Sequence, residues 1–118
     1  MSYNIDTFRV KKLENLKIKT EKISGRYVER QYNEETGLTH FFESETLCIT
    51  GKESDGVLSV QAISCCGEGS GNFANDVLED ALEGSTGTFV ASCVWEGGDS
   101  INQLRVENGK VEWIDIEI

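Results

Sequence analysis

No proline interrupts this chain, and no linker, repeat or low-complexity segment divides it. Its 118 residues suffice for one domain with a modest core, residues 1–118, and are too few for two. Histidine occurs once, so a Ser–His or Cys–His mechanism would have to use His40. No G-x-S-x-G elbow accompanies it; Gly67-Glu68-Gly69-Ser70-Gly71 is a glycine-crowded look-alike without the strand-to-helix strain of that motif. Cysteine occurs four times, as Cys48, Cys65, Cys66 and Cys93, with no C-x-x-C pair and no metal-site spacing. A disulfide between the adjacent Cys65 and Cys66 would be strained, so the four read as reduced, mostly buried thiols of a cytosolic protein. H-E-x-x-H and D-x-D-x-D-G patterns are missing, as is the Gly-Lys-Ser/Thr of a P-loop. No apolar run approaches the roughly 18 residues of a membrane span. The opening residues MSYNIDTFRV lack the basic and then apolar order of a secretory signal. The expectation is a cytoplasmic binding protein with no catalytic residues, no metal, no cofactor and no membrane partner.

Positive charge is scarce overall: 11 Lys and Arg stand against 21 Asp and Glu, for a net charge of −10. That balance argues against binding a nucleic-acid polymer across the whole surface. The cations are not evenly spread. Residues 1–30 carry +4, and residues 31–118 carry −14. Either the chain has two faces of opposite sign, through which copies can pair, or the lysines guard an edge strand.

Strand patterns dominate. Gly25 to Tyr32, Leu38 to Phe42, Thr46 to Thr50 and Val57 to Ser64 read as short strands separated by turn residues. Thr86 to Trp95 is apolar on both faces, as a central strand would be. Ile101 to Val106 and Val111 to Ile118 flank Asn108-Gly109, the strongest hairpin signal present. Between these groups, Phe73 to Glu83 has helical period, with Phe73, Val77 and Ala81 in one row and Ala74, Leu78 and Leu82 in another. Asn72 suits its N-cap, and Gly84 its C′ position. The fold class expected is α+β: an antiparallel β-sheet with one main α-helix packed on it. Val10 to Ile23 is open between a strand with a loop and a short helix.

The candidate ligand site starts from the loop before that helix. Glycines let backbone N–H groups converge, and a helix start adds partial positive charge, so Gly69, Ser70, Gly71, Asn72 and Phe73 can hold a phosphate or carboxylate; the same residues also read as a plain turn. Arg105 is the only cation between Lys52 and Lys110. It can clamp a phosphate with two parallel hydrogen bonds, or pair with Glu96 or Glu107. Arg26 and Arg30 offer the same choice. Trp95, Phe73 and Tyr27 can stack on a base or belong to the core.

This organisation resembles the phage Thoeris anti-defence proteins. The residues that carry the likeness are Gly67 to Phe73, the helical stretch ending at Gly84, Ser85-Thr86-Gly87-Thr88, and Arg26 with Arg105. Members of that family sequester cyclic nucleotide signals without cleaving them and work as oligomers. The resemblance implies a non-enzymatic sponge for a small anionic nucleotide, in the host cytosol, with a pocket at or near a subunit interface. It implies ligand binding by Arg26 and Arg105, a second inter-subunit site at Gly84, Ser85, Thr86 and Thr88, and a homo-oligomer such as a dimer or trimer of dimers. The alternative is an acidic inhibitor of a basic protein, such as a toxin immunity protein or a nucleic-acid mimic. In that reading the helix carboxylates Asp76, Glu79, Asp80 and Glu83 make the contact.

Overall fold

A computed structural model describes residues 5–64, 77–95 and 101–116. The strands are β1 (Ile5–Lys19), β2 (Val28–Asn33), β3 (Leu38–Glu43), β4 (Thr46–Ser54), β5 (Val57–Ile63), β6 (Thr86–Trp95), β7 (Ile101–Glu107) and β8 (Lys110–Ile116). They form one 8-stranded sheet in the order β2-β3-β4-β5-β1-β6-β7-β8. Every pairing is antiparallel. Two meanders, β2–β5 and β6–β8, are thus joined through β1. The stretch left open in the sequence is mostly strand: β1 runs to Lys19, and a 3-10 turn follows at Thr20–Lys22.

β1 can serve both meanders because its registry breaks. Its pairing with β6 shifts between Val10 and Lys12 and again between Glu14 and Lys17. Asn15, inside the second shift, has φ 51. Such bulges bend a strand and deepen its twist. Beyond the second one, Lys17 lies between Ser59 of β5 and Thr86 of β6.

The class differs from the α+β expectation. The protein is mostly β, and its only described α-helix, α1 (Glu79–Leu82), has four residues. Residues 73–76 of the expected helix lie outside the described residues. The described end does follow the helical period: Val77, Leu78, Ala81 and Leu82 are buried. Period alone does not set length, however. Leu78 at the N-cap makes no side-chain hydrogen bond, and the chain leaves the helix at Glu83. Gly84 follows with φ 80. A single turn cannot form a layer, and the buried cluster is drawn from both meanders of the sheet as well as from the turn. Val77 lies so close to Gly25, just before β2, that a Cβ there would come within 2.9 Å of its Cγ2. Glu79 reaches Trp113 of the opposite edge strand, β8.

The inner face of the sheet supplies the rest of the core. Leu16 and Ile18 of β1, Phe41, Ile49 and Leu58 of the first meander, and Phe89, Leu104 and Val106 of the second are buried in one cluster with the helical turn. Each such side chain contributes roughly 1.5–3 kcal/mol through removal from water. Asn108 and Gly109 close the last hairpin with φ 47 and 86, the left-handed pair that matches strand twist.

Gly87 marks the tightest contact. Its φ is 96, and a Cβ would lie 2.2 Å from the carbonyl oxygen of Asn15. Gly87→Ala is therefore expected to cost at least ~1–3 kcal/mol in urea unfolding. Gly37→Ala, at φ 73 with no atom within 4 Å of the new Cβ, carries the backbone cost alone and should lose less. Equal losses would show that the approach to Asn15 is not constraining.

Candidate functional site

The residues singled out from the sequence are not gathered in one place. Residues 69–73 and the Trp95 side chain lie outside the described residues. Arg26 precedes β2, with its guanidinium 5.5 Å from the centre of the Tyr27 ring. It lines an open hollow of about 260 Å³ with Glu29, Ser44 and Glu45. Arg105 is on β7, the seventh strand in sheet order, whereas β2 is the first. It lines a different hollow, of about 240 Å³, with Thr88, Val90, Glu107, Lys110 and Glu112.

Face, as well as distance along the sheet, separates Arg105 from the helical turn. Its strand neighbours Leu104 and Val106 are buried on the inner side with α1, so Arg105 points outward. Glu112, directly across from it on β8, makes an ion pair of 3.3 Å with Lys110. The Gly84–Thr88 segment is mostly committed to the fold. Gly84 N–H donates to Gly109 C=O at 3.2 Å. The Ser85 hydroxyl donates to Leu82 C=O at 2.6 Å, closing the helical turn. Thr86 starts β6. Thr88 lines the hollow beside Arg105.

What the fold does assemble is a cationic strip. The pairs Phe8–Cys93 and Ile18–Leu58 join buried residues, the half-buried Leu13 pairs with the buried Phe89, and together they fix the inner side of β1. Arg9, Lys12, Lys17 and Lys19 then point to the outer side, and all four are exposed. Lys52 of β4 joins them: Lys17 and Lys52 both pair with Ser59, one from each side. Adjacent strands are about 4.8 Å apart, so these two lysine backbones stand roughly 10 Å apart across the Ser59 hydroxyl. The described outward side chains of β4, β5, β1 and β6 carry one carboxylate, Glu14, which lies 3.9 Å from Lys12.

Between the two lysines the surface is concave. Asn15, Lys17, Lys52, Ser54, Ser59 and Gln61 line an open hollow of about 390 Å³. Two irregularities shape it, the bulge at Asn15 and a shift between Thr50 and Gly51 in the β4–β5 register. Ammonium groups, hydroxyls and side-chain amides around one depression offer donors to an oxyanion from several directions. The sequence reading missed Lys17 and Lys52. The alternation of Lys17 and Lys19 around the buried Ile18 was the available signal, but it has meaning only once that stretch is a strand.

No family model, curated protein or solved structure matches the chain. The carboxylates of the helical turn are partly engaged by the fold. Trp113 Nε1–H donates to Glu79 Oε2 at 3.3 Å, whereas Lys22 Nζ donates to the backbone carbonyl of Glu83, not to its carboxylate, at 2.8 Å. Asp80 is exposed, and Asp76 lies outside the described residues. Removing the indole donor with Trp113→Phe is expected to lower stability by about 1 kcal/mol in chemical denaturation. Glu79→Gln keeps an acceptor and should lose less; a larger loss would assign the contact to charge.

Proposed function

We propose that this chain is a non-enzymatic binding protein for a small anionic, phosphate-bearing molecule, held on the outer face of its sheet. The observation that carries the reading is the outward set Arg9, Lys12, Lys17, Lys19 and Lys52, beside which Glu14 is the one carboxylate among the described outward side chains of β4, β5, β1 and β6, in a chain of net charge −10. Like charges gathered on one face repel in the empty state, so an anion between them gains attraction and relieves repulsion together. The Lys17–Lys52 hollow is the anchoring site, with Ser59 on its floor. The neighbouring cations extend the field along β1 and guide the ligand inward. A nucleotide is the first ligand to try, because the sequence organisation resembles proteins that sequester cyclic nucleotide signals. Arg26, in its own hollow before β2, has no part in this site, and Arg105 takes a flanking place on the same outer side.

The acidic-inhibitor alternative draws less support. It relies on a continuous helical row of carboxylates, and α1 spans a single turn in which Glu79 already accepts a bond from Trp113.

Thermal unfolding at low ionic strength tests the proposal, with inorganic phosphate, linear and cyclic nucleotides, and uncharged nucleosides. Phosphate-bearing compounds should raise the melting temperature as their concentration rises, and nucleosides should not. Lys17→Ala combined with Lys52→Ala, both at exposed positions, should preserve the fold and weaken binding about tenfold or more. An unchanged melting temperature with every anion, or full affinity in the double variant, would remove the site.

A further inference from the structure

The hollow between Lys17 and Lys52 has a second row of side chains beside the lysines. The β1–β5 register pairs Lys17 with Ser59, Ile18 with Leu58 and Lys19 with Val57. Continued two residues further, it brings Asn15 of β1 to Gln61 of β5, and both line the hollow. Each is set there by a bulge. On β1, Asn15 and Leu16 stand against Gly87 alone, between the pairs Glu14–Thr88 and Lys17–Thr86. On β5, Gln61 is the extra residue between the pairs Thr50–Ala62 and Gly51–Val60. Bulges re-aim side chains and are frequent beside active sites. Here the two bulge residues, Asn15 at φ 51 and Gln61, are both carboxamides and both exposed. Val60, next to Gln61, also lines the hollow and is half-buried against the core. No carboxylate is among the lining residues.

We infer that Asn15 and Gln61 are the specificity residues of this hollow and bind the edge of a nucleobase whose phosphate lies between Lys17 and Lys52. This assignment rests on the phosphate site proposed above and extends it to the uncharged part of the ligand. A lysine ammonium only donates, which suits phosphate oxygens. A carboxamide carries a donor and an acceptor side by side in one plane. Its full complement is a group with an acceptor and a donor side by side, which is the pattern of a base edge. A phosphate at this row would use the NH2 half of each amide and leave the oxygen idle. The amide plane can turn over, so the pair selects ligands that have such an edge without fixing which base bears it. Alternate residues along a strand are about 7 Å apart, so the amide row and the lysine row fall within the reach of one nucleotide. Val60 offers an apolar surface to the face of the ring.

Calorimetric titration at low ionic strength separates the two rows. Three probes share one phosphate: adenosine 5′-monophosphate, purine riboside 5′-monophosphate, which lacks the exocyclic amino group, and ribose 5-phosphate, which lacks the base. The adenine nucleotide should bind about fivefold more tightly than the purine riboside nucleotide and about tenfold or more tightly than ribose 5-phosphate. Gln61→Leu should cut the first preference to about twofold or less, and Asn15→Gly, which keeps the left-handed backbone, should reduce it in the same direction. Lys17→Ala with Lys52→Ala should weaken all three probes while the preferences among them persist. Both amide positions are exposed, so their variants should melt as the wild type does. Equal affinity for the three probes, or a preference that survives Gln61→Leu and Asn15→Gly unchanged, overturns the assignment and leaves the phosphate site standing. Failure of all three to bind overturns both.

Discussion

The architecture depends on a central strand that must pair on both sides while changing direction. β1 pairs with β6 along its length and with β5 over its last residues, at Lys17–Lys19. The two meanders meet only through it. A regular strand of fifteen residues would hold them in a gently twisted plane, leaving the inner face of one meander unprotected from water. The register breaks at Val10–Lys12 and Glu14–Lys17 allow β1 to bend, and the close approach of Gly87 to the Asn15 carbonyl belongs to the second bend. The sheet can then curl until residues beside both of its edges touch the same helical turn.

That curl accounts for the reduced helix. In a fold with one flat sheet, a helix must cover the apolar face, and its length follows from the area to be covered. Here residues of both halves of the sheet join one buried cluster with the helical turn. A turn with four buried side chains, Val77, Leu78, Ala81 and Leu82, fills the remaining space. The same arrangement gives the outer face its character. Alternation along β1 buries Leu16 and Ile18 and sends Lys17 and Lys19 outward, so the positive charge of residues 1–30 becomes a strip in the middle of the sheet. The β2 edge is left with different chemistry, Arg30 and Tyr32 on the strand with Arg26 and Tyr27 just before it.

Much of the strand plan was legible. Asn108-Gly109 fixed the last hairpin because few residues tolerate that left-handed turn, and the apolar character of both faces of Thr86 to Trp95 marked a strand with neighbours on each side. The helix was over-read because Val77, Leu78, Ala81 and Leu82 keep helical spacing whether the helix has one turn or three. β1 was legible only in part, because its bulges break the two-residue alternation that identifies a strand. Candidate site residues fared less evenly. Arg26 and Arg105 stand out in sequence for their isolation among acids, yet isolation in sequence carries no information about convergence in space, and the fold assigns them to separate hollows. Lys17 and Lys52 were hidden because their relation runs through a third residue, Ser59, on a strand that pairs with both.

By itself the sequence determined the charge asymmetry, the antiparallel hairpins and the apolar spacing of the helical turn, because these depend on residues close together along the chain. The tertiary structure alone decided the strand order, the curl of the sheet and which cations share a face. Those properties are set by contacts between distant segments, β1 with β6 above all, and local residue preferences do not encode which distant strand a given strand will meet.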